Sequence, residues 1–203
     1  MKTPTQSTQG SQRSNEMRER LLQATLDVIL EEGWVGASTL KVCQKAGVSR
    51  GAQTHHYPTK NQLFMAAIDQ IAREYEASIE QSMATLPPER KTLRAVLEII
   101  WQSCLDDRFL QCSVEAMVVA RTDDNLQKPI ADLDIEAVAA MRDLADQLSD
   151  AGPQTDRIRD CIEMSIYMFR GMVIERGMHR DPKYKEHLFE VWCEVLQNGL
   201  NSG

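Results

Sequence analysis

The sequence predicts an all-α protein. Apolar residues recur at helical spacing almost throughout, and no stretch sustains period-two alternation. Glycine and proline are sparse, at 10 and 7 of 203 residues, and aromatic residues make up only 5%. Hydrophobic residues account for 42% of the chain, enough for a substantial core in one or two domains.

Residues 1–14 are small and polar, without apolar period, and are expected to be a disordered tail. The first helix is expected from about Glu16 to Glu32, capped by Ser14 or Asn15. Leu21, Leu22, Thr25, Val28 and Ile29 form its inner stripe. Gly33 ends it, and Trp34 and Val35 should pack the corner that follows. A short helix over 39–46 comes next. Ser38 can cap it, Leu40, Val42, Cys43 and Ala46 face inward, and Gly47 stops it by entering the left-handed region at little cost.

Ser49 can cap a second short helix over 49–56. This one carries Arg50, Gln53, Thr54, His55, His56 and then Tyr57, with almost no aliphatic residue among them. A helix that polar needs a partner to touch. The pair reads as a helix-turn-helix, whose second helix enters the DNA major groove. Candidate DNA contacts are Ser38, Thr39, Ser49, Arg50, Gly51, Gln53, Thr54, His55, His56, Tyr57 and Lys60. Arg50 stands at the start of the reading helix, where side chains point into the groove. Gln53 has two readings, a bidentate contact to adenine or a place at the module's edge. The histidines are adjacent, about 100° apart on a helix, whereas zinc-binding pairs stand four residues apart, so no metal is assigned. A neutral imidazole can instead donate to phosphate.

Thr59 and Gln62 form a capping box after Pro58, so a long helix is expected from Asn61 to about Ala84. Lys60 in its first turn opposes the helix dipole, which suggests a phosphate clamp. Further helices are expected over about Glu89–Cys104, Phe109–Ala120, from near Pro129 to Gly152-Pro153, over Asp156–Gly177, and from an Asp181-Pro182 start to about Leu200. That makes nine, divided as a tail over 1–14, a DNA-binding domain over 15–60 and a helical body over 61–203.

The net charge of −7 argues at first against nucleic acid, but its distribution reverses the impression. Residues 1–60 hold eight lysines and arginines against five acids, a net +3, which leaves −10 for the remainder. A basic module on an acidic body orients a protein on DNA. Five cysteines form no metal-ligand spacing, and no targeting signal or membrane-length apolar run is evident, so a cytoplasmic protein is expected. No sequence pattern for a nucleophile, a zinc-binding helix or a phosphate loop is present, so no catalytic residue, metal or cofactor is assigned.

The run Ala46-Gly47-Val48-Ser49, with Gly51, His56, Pro58 and Lys60, resembles the signature of the TetR (tetracycline-repressor-like) family of bacterial transcription regulators. The resemblance covers Arg18 to Ile71 and includes the glycine-aromatic stop at Gly33-Trp34. The chain departs from the family pattern at Gln53 and Thr54, where leucine and tyrosine are common, and at Tyr57, where phenylalanine is common. The resemblance implies a homodimer through the last two helices, a palindromic operator of double-stranded DNA, and a body that encloses a small-molecule effector. The chain is accordingly expected to be a repressor that the effector releases from its operator.

Within the body, a methionine-rich set suggests a pocket for an apolar or mildly polar effector. Trp101, Cys104, Phe109, Cys112, Met117, Met141, Met164, Tyr167 and Met168 are its candidate lining, although methionine also fills ordinary cores. Cys161, Arg170, Ile174, Val191, Trp192, Val195 and Leu196 are candidates for the dimer interface. Arg170 interrupts an apolar run and has three readings: a pair across the interface, a contact to a ligand carboxylate, or emergence at an edge. Two rival functions stand beside the regulator: a small-molecule-binding dimer without operator recognition, and a thiol-based redox sensor through cysteines such as Cys104, Cys112 and Cys43.

Overall fold

Helices account for nearly all of the residues described by the computed structural model, which are 6–105, 108–148, 152–175 and 183–201. Nine α-helices stand among them: α1 (Gln6–Gly36), α2 (Thr39–Ala46), α3 (Arg50–His56), α4 (Lys60–Thr85), α5 (Leu93–Leu105), α6 (Arg108–Ala120), α7 (Asp124–Asp143), α8 (Thr155–Ile174) and α9 (Lys183–Asn201). Short 3₁₀ turns occupy Pro88–Arg90, Leu144–Gln147 and Gly152–Gln154. The expected cap at Asp181-Pro182 and the expected helix end at Gly177 lie outside the described residues.

Several boundaries differ from the sequence expectation; α5 starts at Leu93 rather than near Glu89, behind the 3₁₀ turn over Pro88–Arg90, and three others follow from their local chemistry. Helix α1 begins at Gln6, so most of the expected tail is helical. Adding residues to a formed helix is far easier than nucleating one, so the modest cost of Gly10 and of the serines and threonine beside it is overcome. At its other end Gly33 does not stop the helix but bends it, with φ 71 and ψ 166, and one more turn follows. Helix α7 starts well before Pro129. Asp123 caps it, its side chain accepting from the Asn125 N–H at 3.0 Å, and Pro129 lies inside the helix at the loss of one backbone hydrogen bond.

The chain forms two compact units. The first comprises Met1–Ala72 with Glu115–Ala131. Its core joins the α1 stripe of Leu21, Leu22, Val28 and Ile29 to Val42 and Cys43 of α2 and to Leu63, Phe64 and Ile68 of α4. The Trp34 ring stands edge-on to Phe64, with centroids 5.1 Å apart. Two expected inward residues face solvent instead, Leu40 and Val35. Helices 39–46 and 50–56 are too short to enclose a core, so α4 supplies the missing apolar face.

The second unit comprises Arg73–Val114 with Asp132–Gly203. Its centre is an aromatic trio. Trp101 of α5 stacks on Phe189 of α9 at 5.2 Å and 14°, and Phe169 of α8 lies 5.1 Å from the same indole. Trp192 of α9 donates from Nε1 to Ser165 Oγ of α8 at 2.8 Å, which fixes how those two helices face each other.

Candidate nucleic-acid interface

The turn between α2 and α3 is built from capping chemistry. Ser38 Oγ accepts from the Lys41 N–H at 3.3 Å and starts α2. Gly47 ends it at φ 62 and ψ 40, and the Val48 N–H reaches back to the Cys43 carbonyl at 3.0 Å. Ser49 Oγ then accepts from the Ala52 N–H at 3.2 Å and starts α3. From α1, Arg20 closes over this turn. Its Nε donates to the Ala46 carbonyl at 3.1 Å and its Nη2 to the Gly47 carbonyl at 2.9 Å. A Cβ on Gly47 would stand 3.1 Å from that same Nη2, so glycine serves here by both conformation and space. Sequence reasoning missed Arg20, because an arginine on a solvated helix face carries no local signal of its distant partner.

The outer face of α3 presents Arg50, Gly51, Thr54 and His55 to solvent, with Ser49 at its start. Nothing lies within 4 Å of a Cβ placed on Gly51. Ser38 and Thr39 are half-buried at the start of α2. His56 is half-buried too, and burial, then the charges of His55 and Arg18, push its pKa below 6.5, which favours the neutral imidazole. Helix α3 is short, yet it gathers a cation, a hydroxyl and an imidazole on one open face.

Three of the expected contacts point the other way. Gln53 is 2% exposed, and its side-chain amide donates to the Tyr57 carbonyl at 2.5 Å. It therefore closes the C-terminal end of α3 and has no atom to offer a base. Tyr57 is buried with its hydroxyl unpartnered, and Arg18 stands 6.0 Å from its ring centroid. Its hydroxyl therefore reaches neither solvent nor a phosphate. Lys60 folds back across the first unit: its Nζ donates to the Trp34 carbonyl at 2.8 Å and lies 4.9 Å from the Phe64 centroid. Burial pushes its pKa down. Lys60 is a tether for the Trp34 corner rather than the expected phosphate clamp. Glu115 holds the same corner, accepting the Trp34 N–H at 3.2 Å.

The remaining cations divide in the same manner. Lys45 pairs with Glu31 at 2.5 Å, and Lys41 pairs with Glu32. Both pairs are exposed and worth little to stability. Arg13, Arg18 and Arg50 stay exposed on the same unit.

In the second unit a cavity of about 20 Å³ opens between α4, α5, α6, α7 and α8. Of the expected lining, Cys104, Phe109 and Met141 are there, joined by Tyr75, Ile100 and Val138. The others are not. Trp101 is locked in the aromatic trio, and Met168 packs against the same core. Cys112 is fully buried away from the cavity, and Met117 belongs to the first unit. Met164 and Tyr167 are exposed, the latter donating to Glu163 at 3.0 Å. Arg170, expected at the interface, lines the cavity and pairs with Asp134 of α7.

Of the other interface candidates, Ile174, Val191 and Val195 are exposed. Trp192 and Cys161 are half-buried against the core, and Leu196 is buried. All five cysteines are free thiols. Burial pushes the thiols of Cys43, Cys161 and Cys193 up, away from the reactive thiolate. Among the described residues no helix is long and apolar enough to cross a membrane.

Residues 21–67 match the family description "Bacterial regulatory proteins, tetR family". Over 190 residues the chain is 29% identical to an uncharacterized HTH-type transcriptional regulator of Mycobacterium tuberculosis, covering 93% of this chain and 97% of that one. It is 28% identical over 196 residues to the HTH-type transcriptional regulator CymR of Pseudomonas putida, covering 96% of each. The crystal structure of a transcriptional regulator from Rhodococcus sp. Rha1 superposes with a TM-score of 0.71 at 24% identity, over 90% of this chain and 96% of that one. The family match over residues 21–67, the capped turn and the open face of α3, with relatives that are themselves HTH-type transcriptional regulators, together support membership of the TetR family of DNA-binding transcriptional regulators.

Proposed function

We propose that the protein is a homodimeric repressor of a palindromic operator, released when a small molecule occupies the cavity of the second unit. The observation that carries the reading is the open outer face of α3. Arg50, Thr54 and His55 are exposed there, the Ser49 cap fixes the helix start, and nothing covers Gly51. Helices of this kind place their N-terminal side chains against base edges. The rival reading as a small-molecule-binding dimer gives that face no role. A thiol sensor is disfavoured by burial, since Cys43, Cys104 and Cys112 are all buried and burial pushes the Cys43 thiol up.

Dimerisation through α8 and α9 is supported by their outer sides. Met164, Tyr167 and Ile174 on α8, and Val191 and Val195 on α9, are large apolar residues left exposed at helical spacing. A second copy would cover them and set two α3 helices against half-sites about 34–36 Å apart, or a multiple of that.

Selection from random duplexes with the full chain tests the reading. The recovered sites should be inverted repeats. Log affinity should fall against log salt with a slope of about −0.9 per phosphate neutralised. Recovery of no common sequence would leave the rival reading as the better one.

A further inference from the structure

Arg170 sits in the middle of α8, between Phe169 and Gly171 in an otherwise apolar run. Its side chain is only 12% exposed, lines the cavity, and pairs through Nη2 with Asp134 Oδ1 of α7. Its Nε is buried and has no partner. Nε and Nη2 form one edge of the guanidinium, the edge that a carboxylate bridges with two parallel bonds. Asp134 takes one prong of that fork and leaves the other bare. A buried donor without a partner is costly, because it has lost its water and gained nothing in exchange. The apolar walls supply none, and the rings of Tyr75 and Phe109 stand 5.1 Å apart on the same lining.

We propose that the effector is a small monocarboxylate with a compact apolar body, and that its carboxylate bridges Nε and Nη2 of Arg170 in place of Asp134. The inference rests on the reading of this unit as the sensor and adds the chemical class of what it senses. Each part of the class follows from the site. The bare prong asks for an acceptor that reaches both nitrogens. A cation would be repelled by Arg170. A neutral amide offers one acceptor oxygen and no charge. A second acid group would meet Glu76, which also lines the cavity. The walls take the apolar remainder.

Asp134 has the chemistry of the proposed ligand, so it acts as an internal stand-in. The cavity of about 20 Å³ has room for about one water, so a ligand gains space by displacing side chains. Exchanging one carboxylate for another keeps the Arg170 charge matched while that happens. It also removes a tie between α7 and α8, the kind of differential contact through which a ligand shifts a population.

The test is calorimetric titration of the full chain with benzoate, phenylacetate and octanoate, each beside its primary amide. At least one acid should bind while its amide binds roughly 100-fold more weakly or not at all. Arg170→Gln should abolish that preference. Asp134→Asn should tighten acid binding by about tenfold, because it removes the competitor. A purely structural ion pair would respond differently, with both substitutions weakening binding. Should Arg170→Gln fail to fold, Asp134→Asn and the acid–amide comparison decide the matter. Amides binding as tightly as acids would overturn the carboxylate assignment and leave the sensor reading intact. Absence of binding by any acid at millimolar concentration would overturn the assignment as well. The sensor reading is then judged separately, by whether filling the cavity with Ala137→Phe changes operator affinity.

Discussion

Lysine and arginine divide the work of the first unit according to where they point. Arg50 faces outward, whereas Lys60 is committed to the Trp34 carbonyl and the Phe64 ring. The two therefore predict different phenotypes. Arg50→Ala should narrow the gap between operator and random DNA, with little change in melting temperature. Lys60→Ala should lower stability by about 1 kcal/mol, the usual worth of such a bond, and leave the salt slope of DNA binding as in the parent. Melting curves beside salt titrations separate the two. A flattened salt slope in Lys60→Ala would return that residue to the phosphate backbone. The sequence made Arg50 legible because a cap immediately precedes it. It could not show that Gln53 and Lys60 turn inward. A helix of seven residues is too short for its periodicity to reveal the buried side, and the partner of Lys60 lies 26 positions away.

At the scale of elements, the turn between α2 and α3 was legible because Ser38, Gly47 and Ser49 act through their immediate neighbours. The α1 start and the place of Pro129 were less so. A polar stretch carries little signal when its helix is extended from a neighbour, and proline in a second helical turn resembles proline at a start. The clasp of Arg20 over Gly47 is a tertiary fact. It predicts that Gly47→Ala costs about 1–2 kcal/mol for the left-handed conformation alone. Arg20→Met should cost about 1 kcal/mol for the released carbonyl bonds. Because the added Cβ and the guanidinium compete for one space, the double variant should be less destabilised than the two costs added. Chemical denaturation of the four proteins measures the coupling. Strict additivity would mean that the clasp and the turn are independent.

For the whole molecule, the exposed apolar residues of α8 and α9 bear on assembly. Trp192 is a poor probe of it, since its indole already bonds to Ser165 within the chain. Val195 is 54% exposed and is the cleaner one. Val195→Glu should leave the monomer folded, shift sedimentation toward the monomer at micromolar concentration, and abolish high-affinity operator binding. An unchanged dimer would place the interface elsewhere. Helix count and class were readable from apolar periodicity together with the caps, glycines and prolines that punctuate it. The cavity lining was not, because five helices meet there and no local pattern says which side of each will face the gap. The methionines illustrate the point: Met141 reaches the cavity, Met164 faces solvent and Met168 packs the core.

That cavity has a consequence for timing. With about 20 Å³ of free space, no molecule larger than water enters without the walls parting first. If parting precedes binding, raising the concentration of the effector quickens its uptake only until the opening rate is reached, and beyond that the rate is flat. Under the proposed function, the delay between a chemical appearing and the operator being vacated would then belong to the breathing of the five helices. Supply of the chemical would set how many molecules respond, and the protein itself would set how soon.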